Sequence, residues 1–169
     1  PTTRALPPAV SPELLAASAG GHIEPGTDGA LTLVTRAGRV HVVRGRTRSV
    51  MAWARACAVA SGTATLETAL FGTPLVIVYR MNALNFWLAR RLVTLERIGL
   101  PNIVAGAALA PECVQADCTP ERIAGALAGW LDDPNARATA SEGLRIVRQR
   151  LGAPGASRRA AELIGEMLA

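Results

Sequence analysis

Residues 57–79 read CAVASGTATLETALFGTPLVIVY, and the fold follows from how this stretch is parsed. It opens with a short apolar run, Cys57 to Ala60, which stops abruptly at Ser61-Gly62-Thr63. From Thr63 to Phe71 the pattern is helical, and Gly72 ends it, since glycine readily takes the left-handed conformation that closes a helix. Pro74 then opens Leu75-Val76-Ile77-Val78-Tyr79, a continuous apolar run typical of a strand covered on both faces. Strand, helix and strand in such close succession predict an α/β domain with a mainly parallel sheet.

Working outward toward the C-terminus, Leu84, Leu88, Leu92 and Leu95 recur at helical spacing, and Leu100-Pro101-Asn102-Ile103-Val104 reads as a brief extended piece. Thr119-Pro120-Glu121 carries the cap, first-turn proline and acid of a helix start, with Ile123, Leu127, Trp130 and Leu131 on one face. Two further helices are predicted, one carrying Leu144, Val147 and Leu151, the other Leu163, Ile164, Met167 and Leu168. Toward the N-terminus, Ser11-Pro12-Glu13 starts a helix that should stop at Gly20-Gly21, and residues 22–29 read as loop. Leu31 to Thr35 and Val40 to Val43 form a predicted hairpin about Arg36-Ala37-Gly38-Arg39, and Arg48 to Ala56 a short helix. The hairpin is the part least at ease with a parallel sheet.

Composition narrows the function. The chain has 169 residues, half of them hydrophobic but only 4% aromatic, and 32 are alanine, so the core must be made of small, closely packed side chains. All eighteen basic residues are arginine, against thirteen acids. The absence of lysine excludes a Walker A phosphate loop and Schiff-base or pyridoxal-phosphate chemistry, each of which needs an ε-amine. Three scattered cysteines argue for a reducing compartment, and Cys113 with Cys118 lacks the partners of a zinc site. No metal and no other cofactor is expected. No apolar run reaches the ~18–20 residues of a membrane span. The chain begins at Pro1 rather than methionine, which reads as a piece of a longer protein.

Ligands of open parallel sheets bind beyond the carboxyl ends of the strands. Ser61-Gly62-Thr63 stands at such a junction, where Gly62 permits close approach and the first-turn N–H groups, with the helix dipole, suit a phosphate. Glu67 follows one turn after Thr63, within reach of a ribose whose phosphates occupy the helix end. Spacing alone leaves a second interpretation open, a plain helix cap followed by a solvated glutamate.

Residues 59–80, from Val59 through the Ser-Gly-Thr-Ala-Thr-Leu-Glu block to Tyr79-Arg80, resemble the signature of the lipid-A-disaccharide synthase family. The resemblance continues through Asn85-Phe86-Trp87-Leu88-Ala89-Arg90-Arg91, the Leu100-Pro101-Asn102 motif, Pro111-Glu112 with Gln115, and Thr119-Pro120-Glu121. It implies a GT-B glycosyltransferase fold, of which this chain would be the C-terminal, donor-binding half. Residues 1–152 would then form a Rossmann-like UDP-sugar-binding domain lacking its first strand and loop, and residues 153–169 a C-terminal crossing helix. The implied reaction is inverting, metal-independent transfer of 2,3-diacylglucosamine from UDP to 2,3-diacylglucosamine 1-phosphate in lipid A biosynthesis. Carried over residue by residue, Ser61, Gly62 and Thr63 would hold the diphosphate and Glu67 the ribose. Asn102 would be catalytic, Tyr79 and Arg80 would line the cleft, and Glu112 and Gln115 would shape the nucleotide pocket. Two departures stand out: Ala107-Ala108 follow Gly106 where the family carries Arg-Glu, and Arg55 replaces an aspartate.

The implied partners are a UDP-sugar donor and, through an N-terminal half, a lipid acceptor, with a cytoplasmic location at the inner face of the inner membrane. Between Asp28 and Glu67 there is no acid but six arginines, Arg36, Arg39, Arg44, Arg46, Arg48 and Arg55. Such a run suits an anionic membrane surface or a solvated basic face, and without interleaved aromatics it does not suit nucleic acid. The stripe at Leu163, Ile164, Met167 and Leu168 suits folding back, homo-oligomer formation or an exposed position. Two other functions compete: a non-catalytic nucleotide-sugar or protein-interaction module, and a related UDP-sugar enzyme such as a peptidoglycan N-acetylglucosaminyltransferase or a UDP-N-acetylglucosamine epimerase.

Overall fold

A computed structural model describes residues 16–18, 20–26, 31–82 and 97–168. The chain divides into two compact units, Pro1–Ser49 and Val50–Ala169.

The first unit is built on a three-stranded antiparallel sheet, β1 (His22–Pro25), β2 (Leu31–Thr35) and β3 (Gly38–Val42), in that order. The hairpin forms as predicted, with Leu31 opposite Val42 and Thr35 opposite Gly38. Thr35 closes its turn, accepting from the Ala37 N–H and donating to the Gly38 carbonyl. His41 is structural, its Nδ1 3.0 Å from Thr32 Oγ1 across the strands. The expected loop at 22–29 is corrected in part: His22–Pro25 pair with Val34–Leu31. Glycine and proline at its ends suggested loop, but Ile23 opposite Leu33 supplies the cross-strand apolar pair that makes it a strand. Of the helix predicted from Ser11, residues 16–18 are helical and its start lies outside the described residues.

In the second unit, α1 (Thr47–Trp53, beginning in the preceding unit) leads to β4 (Cys57–Ala60), α2 (Thr63–Leu70) and β5 (Leu75–Tyr79). After α3 (Leu100–Ala105) come β6 (Glu112–Val114), a 3₁₀ turn (Gln115–Asp117), and α4 (Pro120–Asp132). The chain ends with α5 (Pro134–Gly143), α6 (Arg145–Leu151) and α7 (Ala156–Leu168). The sheet is parallel with β5 in the middle; Cys57 lies opposite Leu75, and Ile77 opposite Glu112. The central position explains why Leu75, Val76 and Ile77 are at most 1% exposed.

Leu75 and Ile77 face a core shared with Val59, Ala69 of α2, Ala105 of α3, Ala110, and Leu144 and Val147 next to and within α6. Three of these residues are alanine, which lets the helices approach the sheet closely. Thr65 and Thr68, both fully buried, fit there because their hydroxyls donate to the carbonyls of Gly62 (2.6 Å) and Ala64 (2.8 Å) within the helix. α2 ends as read, with Gly72 at φ 73°. Thr119 caps α4 by accepting from the Arg122 N–H.

Leu100–Val104 is not extended but lies in α3. Pro101 occupies the first turn, where its missing N–H is harmless, and Gly106 at φ 59° closes the helix. The predicted helix carrying Leu84 to Leu95 lies outside the described residues. No helix among the described residues is long and apolar enough to cross a membrane.

Candidate functional site

Because β4, β5 and β6 are parallel, their carboxyl ends share one edge of the sheet, which brings Ser61-Gly62-Thr63, Tyr79-Arg80 and Gln115 to that edge. Ser61 extends the ladder by one bond, its N–H donating to the Val78 carbonyl at 2.9 Å, and its hydroxyl donates to the Ile98 carbonyl at 3.4 Å. Gly62 stands at φ 150°, a conformation that favours glycine, and a Cβ there would meet nothing within 4 Å. The glycine is required by the backbone, and the space in front of it is open. No side chain caps the start of α2. The Thr65 N–H turns back to the Gly62 carbonyl at 3.1 Å, and the start of a helix carries the positive end of its dipole. Thr63 and Glu67 are exposed, and the Glu67 carboxylate has no hydrogen bond or ion pair among the described residues.

Tyr79 is half-buried, on the same side of β5 as Leu75 and Ile77, and Arg80 is exposed. Asn102, at 1% exposure, occupies a different setting. Its Nδ2 donates to the Ala110 carbonyl (2.7 Å) and to Glu112 Oε1 (2.8 Å). Its Oδ1 accepts from the Leu109 and Ala110 N–H groups, both at 2.9 Å. Two donors and two acceptor sites are the whole capacity of the amide, so no polar atom of Asn102 is left for a ligand. Glu112 looks inward as well: its carboxylate accepts from the Ile98 and Gly99 N–H groups, each at 3.0 Å, just ahead of α3. That is a favourable place for an anion, at the positive end of a helix dipole.

Gly99 is what allows this arrangement. A Cβ on it would stand 2.1 Å from Ile77 Cδ1 and 3.0 Å from Glu112 Oε1. The Gln115 amide pairs with the backbone of Met81. The edge thus gathers Ser61, Gly62, Thr63 and Arg80 as accessible groups, while Glu112, held in turn by Asn102, binds the segment to which the Ser61 hydroxyl is attached.

These inward contacts escape sequence reading, because nothing local links position 102 to positions 109–112. Two polar residues in separate short motifs, each beside a proline, are the only signal. Thr65 and Thr68 were missed as core residues because threonine does not register in an apolar count.

Burial pushes the thiols of Cys57 and Cys113 up; for Cys113, Arg122 pulls the other way while Cys118 and Asp117 add to the rise. Among the described residues no three His, Cys, Asp or Glu side chains stand together as a metal-binding group. Of the arginines between Asp28 and Glu67, Arg39 pairs with Glu24 at 2.6 Å, and Arg36, Arg44, Arg48 and Arg55 are exposed.

Residues 26–164 match the family profile described as lipid-A-disaccharide synthetase. The chain is 48% identical over 122 residues to the lipid-A-disaccharide synthase of Syntrophus aciditrophicus (strain SB), covering 72% of this chain and 32% of that protein. With the synthases of Nitrosococcus oceani and Trichlorobacter lovleyi it shares 44% and 46% identity over 129 residues, 76% of this chain and 33% and 34% of theirs. The chain spans about a third of the length of the curated relatives it matches.

Proposed function

Since this chain belongs to the lipid-A-disaccharide synthase family, we propose that it forms the donor-nucleotide half of such a glycosyltransferase, a Rossmann-like half of a GT-B fold. In this reading it binds the UDP moiety of a UDP-diacylglucosamine donor, and the rest of the enzyme brings the lipid acceptor. The observation that carries it is the uncapped start of α2 behind Gly62, open at the carboxyl edge of a parallel sheet.

Displacement at the anomeric carbon requires a base for the acceptor hydroxyl and a counter-charge for the departing UDP. The second requirement is met by this chain's own groups. The first-turn N–H groups of α2 not already bonded to Gly62, with the helix dipole, meet a diphosphate placed against Gly62, and Arg80 adds a full positive charge from the neighbouring strand end. Glu67, one turn along α2, accepts from the two ribose hydroxyls. Asn102 and Glu112 support this site from within, holding the Ile98-Gly99 segment against Ser61.

Calorimetry with UDP tests the proposal. The wild-type chain should bind, and Glu67→Ala should bind about tenfold more weakly, as expected for two lost charge-assisted hydrogen bonds. Because Glu67 is exposed, the unfolding free energy of the variant should stay within about 0.5 kcal/mol of wild type. A wild-type chain that ignores UDP would overturn the proposal in favour of an interaction module. These 169 residues alone should also give no disaccharide from a UDP-diacylglucosamine and a lipid acceptor; product formation would show that the reaction does not need the rest of the enzyme.

A further inference from the structure

We infer that Gln115 is a positioning residue for the donor site, acting through Met81 to set the chain segment that carries Tyr79 and Arg80; this rests on the donor-site reading above. β6 ends at Val114, opposite Tyr79, and the next residues wind into the 3₁₀ turn. The backbone of β6 therefore leaves the ladder while the chain of β5 continues outward, and Met81 loses the neighbour that would pair its peptide groups. The Gln115 side chain takes that place. Its Oε1 accepts from the Met81 N–H at 2.8 Å and its Nε2 donates to the Met81 carbonyl at 3.0 Å. One side-chain amide thus does for Met81 what a strand residue's peptide groups do for its neighbour.

The backbone of Gln115 marks the same point. At φ 53° it is the one non-glycine residue with positive φ among the described residues. Glycine or asparagine would occupy that region with less strain. Glycine, however, brings no amide, and asparagine brings one on a stem a methylene shorter. Strain held at a non-glycine position is a pointer to function when the side chain does something its replacements cannot.

Arg80 lies between two fixed points, Tyr79 in the ladder and Met81 on Gln115. Its own side chain is exposed. Gln115 thereby fixes the root of Arg80, and a fixed root reduces the ordering needed when the guanidinium meets a diphosphate.

UDP calorimetry on the 169-residue chain tests this with Gln115→Ala, Gln115→Gly, Arg80→Ala and the Gln115→Ala/Arg80→Ala pair. Gln115→Ala should raise the Kd for UDP about tenfold, since small misplacements of a positioned charge weaken it steeply. Gln115→Gly, free of the φ strain, should melt at a higher temperature than Gln115→Ala yet bind UDP no better. In the Arg80→Ala background, Gln115→Ala should leave the Kd unchanged. Three results overturn the inference: wild-type affinity in Gln115→Ala, affinity restored by Gln115→Gly, or additive losses in the pair. A wild-type chain that fails to bind UDP removes the donor-site reading itself, before any variant is compared.

Discussion

Asn102, at the heart of a sequence motif, spends its side-chain amide on bonds within its own chain. Its amide satisfies the Leu109 and Ala110 N–H groups, the Ala110 carbonyl and one oxygen of Glu112. Removing it leaves several buried groups unpaired at once, which is costlier than losing a single exposed hydrogen bond. Asn102→Ala should destabilise the chain by about 2–4 kcal/mol in urea unfolding. Asn102→Asp should be at least as harmful near neutral pH, because it replaces a donor with a second carboxylate facing Glu112. A loss below about 0.5 kcal/mol in both variants would mean that the network does not hold the loop ahead of β6. The Leu-Pro-Asn and Pro-Glu motifs were both visible in the sequence, whereas their union was not. Asn102 and Glu112 are ten positions apart, across the end of α3 and the loop after it, and no periodicity relates them.

At the scale of elements, the approach of the segment just ahead of α3 to β5 is set by a contact between Gly99 and Ile77. Gly99→Ala would drive a methyl into Ile77 Cδ1, which is fully buried and has little room to turn away. Overpacking of this kind destabilises by about 1–3 kcal/mol. Ile77→Val removes the offending methyl at a loss of about 1 kcal/mol of its own. The double variant should therefore be more stable than the sum of the single losses, and strict additivity in thermal unfolding would place the strain elsewhere. The elements themselves were largely legible. β4, α2 and β5 follow from a two-sided apolar strand and glycine punctuation, and α4 from Thr119-Pro120-Glu121. The misreadings fall where local preference is divided: Pro, Asn and β-branched residues in α3, and a short strand at His22–Pro25 that only its neighbour stabilises.

For the molecule as a whole, two thiols, Cys113 buried and Cys57 partly buried, tie stability to alkaline pH. Folding holds Cys57 and Cys113 above their ordinary range, chiefly by desolvation. In the unfolded chain these thiols ionise above about pH 8.5, while in the folded chain they keep their protons to higher pH. The folded state then binds more protons, so its stability is intact at neutral pH and falls as the pH rises through that window. The unfolding midpoint should drop as the pH rises above about 8.5, and Cys57→Ala with Cys113→Ala should flatten the drop. An identical slope with and without the thiols would assign it to other groups.

By itself the sequence determined the parallel strand–helix–strand unit and the glycine turn at its carboxyl edge, because hydrophobic period, punctuation and backbone freedom are written in consecutive residues. It also carried the family, through ordered motifs that survive whether or not their contacts are known. Only the tertiary structure decided that the hairpin belongs to a separate antiparallel sheet, that Asn102 and Glu112 turn inward, and that Gln115 completes the ladder for Met81. Those outcomes depend on which distant backbone groups are left without partners once the strands have paired, a condition that exists only in the folded chain.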